Sequence, residues 1–276
     1  MSICKVIQEV KGQRAIDGAG VHLVRVLGNK NVQEFDPFLM LDSFDSKEPS
    51  DYTAGFPMHP HRGIETITYL ISGEIEHKDS LGNRGTIGPG EAQWMTAGSG
   101  ILHEEMPLAA ERMLGFQLWL NLSREEKMSE PRYLSIGDEQ IGETQVGQAQ
   151  VRVLSGSFQE ATGVTPNHLP VSIYDVTLPK GADISIPVKS GERAFVFLIE
   201  GDGYMDGSRI SSKTAVLFGS GDEVLVTAPA ESDSRFIFFS GKPLEEPIAW
   251  GGPIVMNTRE ELNKAFEELE QGTFIK

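Results

Sequence analysis

With 276 residues, 39% of them apolar, the chain can bury one large core or two ordinary ones. Twenty-four Lys and Arg against forty Asp and Glu leave a net charge of −16, which disfavours phosphate backbones and anionic lipid, so no direct nucleic-acid binding is expected. The single cysteine, Cys4, excludes an internal disulfide framework, the opening MSICKVIQEVKGQR is too broken by charge for a secretory segment, and no apolar run nears bilayer-spanning length; a cytoplasmic protein with no membrane role is expected.

Short runs of Val, Ile, Leu, Phe and Tyr, each closed by Gly, Pro, Asn or Asp, mark an all-β chain. In order they are Val21–Leu27, Glu65–Ile71, Gln93–Thr96, Phe116–Leu122, Val171–Leu178, Ala194–Ile199, Ala215–Phe218, Glu223–Thr227 and Arg235–Ser240. Segments such as Leu81-Gly82-Asn83-Arg84-Gly85 and Gly88-Pro89-Gly90 supply the reversals between them. One helix closes the chain: Thr258 and Glu261 form a capping box, Leu262, Ala265, Phe266 and Leu269 make one stripe, and Gly272 ends it.

The strands repeat. Gly88-Pro89-Gly90-Glu91-Ala92-Gln93-Trp94-Met95-Thr96-Ala97 aligns with Gly219-Ser220-Gly221-Asp222-Glu223-Val224-Leu225-Val226-Thr227-Ala228, and Leu70-Ile71-Ser72-Gly73 aligns with Leu198-Ile199-Glu200-Gly201. Two tandem β domains follow, and the polar, proline-ended stretch Ser123–Arg132 places the boundary at 1–132 and 133–276. Two copies that each close a core point to a double jelly roll rather than a stacked array.

Phe56-Pro57-Met58-His59-Pro60-His61-Arg62-Gly63-Ile64-Glu65 puts two imidazoles on one face of an extended strand, with Pro60 suited to an edge. Such a pair alone is a weak signal in a chain with six histidines. A second alternation, His103 and Glu105 after Gly98-Ser99-Gly100, makes three imidazoles and one carboxylate, a donor set for a divalent ion. Carried through the repeat, His59 and His61 fall on Pro187 and Lys189, and His103 and Glu105 on Ser234 and Phe236, so the second copy is expected to be metal-free. His22, His77 and His168 are assigned non-catalytic roles, with His77 on a charged strand face. Trp94, Trp119 and Phe116 read as core, although Gln117, Trp119 and Asn121 share a strand face that could line a cavity.

These strings resemble a known family. The His-x-His motif with a glycine-flanked His one β-segment later is similar to the cupin metal motif. Asp36–Asp42, Gly55–Gly63, Gln93–His103 and Trp250–Thr258 resemble the signature stretches of pirins across nearly the whole chain. The resemblance implies two tandem cupin β-barrels, with iron held in the first domain by His59, His61, His103 and Glu105. The general cupin motif would instead use Glu65, whose parity with His61 also matches, while Glu104 is expected to face away. It further implies a quercetin (flavonol) 2,3-dioxygenase reaction, with O2 as co-substrate, Glu105 as a catalytic base and Fe(II) as Lewis acid. Mn, Ni, Co, Cu and Zn also suit the donors. The alternative it implies is a non-enzymatic, iron-dependent regulator acting through a protein partner.

Overall fold

In the computed structural model, which describes residues 2–276, alternation becomes strand at each of the nine expected places. Val21–Leu27, Val171–Leu178 and Glu223–Thr227 keep their bounds, while others grow by a residue or more at an end, as in Ile64–Ser72 and Met113–Asn121. The closing helix spans Arg259–Glu270, and both hydrogen bonds of the Thr258–Glu261 capping box are present. Among the described residues, no helix is long and apolar enough to cross a membrane.

The strands form two compact units that are not consecutive halves of the chain. One comprises Arg14–Gly137 and Leu244–Lys276, the other Met1–Gln13 and Asp138–Pro243. The exchange of ends follows from pairing and burial. Val6–Lys11 adds as an edge strand to Thr214–Phe218, and the helix buries Leu262 and Ala265 with Ile254, Met256 and Phe274.

In the first unit a seven-stranded antiparallel sheet runs in the order Arg132–Ile136, Ala92–Thr96, Ile64–Ser72, Met113–Asn121, Phe38–Ser46, Val21–Leu27, Gln13–Asp17. A four-stranded sheet, Phe56–His61, Ile101–Pro107, Ile75–Asp79, Arg84–Ile87, completes the barrel. In the second unit the larger sheet is ordered Val6–Lys11, Thr214–Phe218, Arg193–Glu200, Ser234–Gly241, Val171–Leu178, Ala149–Ser155, Gly142–Val146, and the smaller Asp183–Pro187, Glu223–Thr227, Gly203–Met205, Ser208–Ile210. The two units are thus the same jelly roll.

Strand order corrects the register of the repeat. Ala92–Thr96 neighbours Ile64–Ser72 as Thr214–Phe218 neighbours Arg193–Glu200, so the counterpart of Gly219–Gly221 is Gly98–Gly100, one strand later than the sequence alignment placed it. Two Gly-x-Gly turns before strands look alike in sequence and differ only in pairing partner. With the turns matched, His103, which faces His59 across the ladder, corresponds to Val224, which faces Ile186. Val224 and Ile186 are buried in an aliphatic interior with Ile184 and Val226.

Candidate metal centre

Phe56–His61 is the edge of its sheet, where Pro57 and Pro60 cost no ladder hydrogen bond. Immediately after it the chain turns at Gly63, with φ of 77°, and a Cβ there would meet the Val255 carbonyl at 2.0 Å. The next strand, Ile64–Ser72, belongs to the other sheet. Gly98, with φ of 47° and no room for a Cβ against the Ser129 carbonyl, turns the chain into Ile101–Pro107. That strand sets His103 directly opposite His59 and Ile101 opposite His61.

Three imidazoles consequently meet. One ligand atom from each of His59, His61 and His103 lies within 4.8 Å of the others. His59 Nδ1–H donates to the Pro57 carbonyl at 2.9 Å and His61 Nδ1–H to the Pro253 carbonyl at 3.0 Å, since a carbonyl can only accept. In the neutral rings both Nε2 atoms then carry lone pairs, and they face each other across 3.1 Å. Both ring nitrogens of His103 are buried with no hydrogen-bond partner. Lone pairs converging at the wall of the cavity are the arrangement a bound cation requires, so the donor set fits a metal ion. Burial, reinforced by the neighbouring His59, pushes His61 down to about 3, against the opposing pull of the Pro253 carbonyl. His103 is held well below the ordinary imidazole range, by burial first and then by His61, His59 and His77. Neutral imidazole is the form that binds metal.

Glu105 is 3% exposed and lines the same cavity as His59 and His61. Its Oε1 accepts from Thr68 Oγ1 at 3.1 Å and Gln93 Nε2 at 2.5 Å, and its Oε2 from Gln117 Nε2 at 2.6 Å. These bonds cross from the four-stranded to the seven-stranded sheet and aim the carboxylate inward, but Glu105 is not among the residues whose donor atoms cluster within 4.8 Å. Glu65 shares a strand with Thr66 and Thr68, and alternation puts it on the face opposite to Thr68, which touches Glu105. Its Oε1 accepts from Thr96 at 2.6 Å. The turn at Gly63 breaks the parity that linked it to His61. Glu104 points away and pairs with Lys78 at 3.4 Å.

Sequence reasoning passed over several neighbours. His77 is 2% exposed, with its ring 5.3 Å from that of His103 and stacked on Tyr133 at 4.3 Å. The alternation of Ile75–Asp79, burying His77 and Asp79 and exposing Glu76, was the available signal. Pro253 and Trp250 come from the remote signature stretch Trp250–Thr258, in which no local pattern shows that it reaches the site. A cavity of about 590 Å³ opens beside the histidines, lined on one side by Trp119, Trp250, Phe44 and Phe56 and on another by Arg25, Asp42 and Asp17. Trp119 lies edge-on to His61 at 4.9 Å and against Trp250 at 5.6 Å. Gln117 and Trp119 line the cavity as their alternation suggested, whereas Asn121 accepts from buried Lys127 instead.

Residues 20–120 match the pirin family model, and residues 173–275 match that of the pirin C-terminal cupin domain. The chain belongs to the pirin family. A pirin-like protein of Caulobacter vibrioides is 43% identical over 99% of this chain and 100% of its own. The crystal structure of quercetin 2,3-dioxygenase from Acinetobacter baumannii superposes with a TM-score of 0.91 at 32% identity, covering 99% of both chains. The bacterial pirin YhhW of Escherichia coli, solved in complex with nickel(II), shares the pirin fold with a TM-score of 0.68 at 23% identity, over 86% of this chain and 99% of that one. All-β architecture in two cupin barrels and a histidine-based site are common ground between sequence and structure.

Proposed function

We propose that this pirin is a metal-dependent dioxygenase that cleaves a flavonol such as quercetin with O2, using an ion held by His59, His61, His103 and Glu105 in its first cupin unit. The observation that carries the reading is the convergence of unprotonated imidazole nitrogens, 3.1 Å apart in His59 and His61, at the wall of an aromatic cavity of about 590 Å³. That volume falls in the range of small-molecule sites. The likeness to the Acinetobacter quercetin 2,3-dioxygenase supports it.

When bound, a divalent ion supplies Lewis acidity and a template for the substrate oxygen; Fe(II) is proposed, and Ni, Mn, Co, Cu and Zn also accept imidazole donors. Three neutral imidazoles and one carboxylate leave a residual charge of about +1 on such an ion, which favours an anionic phenolic oxygen. Trp119 and Trp250 offer a flat apolar wall for the rings of the substrate and keep water away from it. Glu105, which lines the cavity with His59 and His61, is also placed to take the hydroxyl proton as the substrate binds. The apolar interior of the second unit suits a metal-free partner barrel, and a lone buried Cys4 suits a cytoplasmic setting.

The test is oxygen uptake with quercetin by protein loaded in turn with each of these metals, together with Glu105→Gln. Turnover by the wild type and a loss of about 100-fold or more in the variant are expected for a general base. Full activity in Glu105→Gln rules out the base role. No turnover with any metal overturns the dioxygenase reading and leaves the iron-dependent regulator as the better account.

A further inference from the structure

A metal-bound imidazole uses one ring nitrogen for the ion, and its other N–H needs an acceptor that fixes the ring plane. His59 and His61 find theirs in the carbonyls of Pro57 and Pro253. His103 finds none: both of its nitrogens are buried without a hydrogen-bond partner. Its ring is surrounded by those of His59 at 4.4 Å, His61 at 5.1 Å and His77 at 5.3 Å. The first two belong to the site, which leaves His77 behind it.

His77 carries the complementary deficit. Its Nε2–H donates to Asp79 Oδ2 at 3.2 Å, so the lone pair resides on Nδ1, and that atom is also buried without a partner. Asp79 is itself fixed by the turn that follows, where Oδ1 accepts from the amides of Leu81 and Asn83 and Oδ2 from the Asn83 side chain. Tyr133 stacks on the His77 ring with an interplanar angle of 21° and fixes its plane. Gly85 makes room for this, since a Cβ there would meet the Tyr133 hydroxyl at 2.4 Å. On the ladder Asp79 stands opposite His103, and His77 opposite Glu105.

We propose that His77, oriented by Asp79, is a positioning residue of the metal centre, whose Nδ1 accepts the second N–H of His103 through one buried water. Such a water would have a donor on one side and an acceptor on the other, and both ring atoms it joins are buried. The chain Asn83–Asp79–His77–water–His103 then does for His103 what a backbone carbonyl does for each of its two companions. The inference rests on reading the three histidines as a metal centre.

Two substitutions of similar chemistry separate positioning from packing. His77→Asn keeps an acceptor where Nδ1 stands, and His77→Gln moves it to where Nε2 stands. Nickel(II) affinity is measured by competition with a chromophoric chelator, and the melting temperature of each metal-free protein is measured alongside. Affinity near that of the wild type in His77→Asn and about 10- to 100-fold weaker in His77→Gln is expected, the usual cost of losing such a partner. Equal affinity in all three proteins overturns the proposal, whatever the variants do to melting. Pulsed EPR of the copper(II)-loaded proteins should count three imidazoles throughout. A fourth that disappears in both variants would make His77 a ligand and overturn the positioning role. Should the wild type bind no nickel, the metal centre itself falls, an outcome distinct from loss of the His77 role alone.

Discussion

His59 and His61 present lone pairs to each other at 3.1 Å because the carbonyls of Pro57 and Pro253 take both Nδ1 protons. The arrangement costs stability without an ion and returns it with one. Adding nickel(II) or iron(II) at a hundredfold excess over Kd should stabilise the protein by about 2.7 kcal/mol, read as a rise in melting temperature that a chelator reverses. His61→Phe removes one lone pair together with the donor to the Pro253 carbonyl, and its response to metal should disappear. A metal response in that variant equal to wild type would show that His61 is not a ligand.

The two candidate carboxylates lie on opposite faces of the barrel wall, and substitution should tell them apart. Glu105→Gln places an amide among the Gln93 and Gln117 donors and should weaken nickel(II) binding at least tenfold, the scale of losing an outer partner or more. Glu65→Gln, held by Thr96 away from Thr68 and the cavity, should leave affinity unchanged. The reverse ordering in a chelator competition assay would make Glu65 the fourth donor.

Trp250 reaches the cavity on a segment far along the chain and packs on Trp119 at 5.6 Å. If the pair forms the wall on which a flavonol lies, Trp250→Ala should raise KM more than it lowers kcat, because uniform binding is lost while the reacting centre is untouched. Metal affinity should stay as in wild type. A fall in kcat with KM constant would assign Trp250 to the chemical step instead.

Much of this was legible in the residues, for a physical reason. Alternation and glycine punctuation report local backbone state, so Val21–Leu27 and the capped helix at Arg259–Glu270 were readable, as was the common inward face of His59 and His61. Parity fails wherever the chain changes sheet. Glu65 has the parity of His61 in the sequence, and nothing local shows that Gly63 carries the strand into the other sheet. Pairing is equally hidden, and for that reason the sequence repeat falls one strand early. Charge misled at His77, where Glu76 and Lys78 suggested a solvated face, although alternation turns His77 and Asp79 inward. The Pro253 carbonyl that orients His61 is a backbone group contributed from 192 positions away, beyond any local pattern.

Lys127 gives a test in pH. Its side chain is buried, and Nζ donates to the Gly63 carbonyl at 2.8 Å and to Asn121 Oδ1, bracing the turn between the two sheets. Burial lowers it from 10.5 to about 7, against the attraction of Glu246 and Glu261. Between pH 7 and 10.5 the unfolded chain holds a proton that the folded chain lacks, so this group makes stability rise with pH across that window. Below pH 7 both states are charged, and its contribution is flat. Lys127→Met leaves two acceptors unpaired at every pH and has no titration. The difference in unfolding free energy, wild type minus variant, should therefore climb from pH 7 with a limiting slope of about 1.4 kcal/mol per pH unit. Urea denaturation of both proteins across the window measures it, and a difference independent of pH would mean that the ammonium stays charged against its two acceptors.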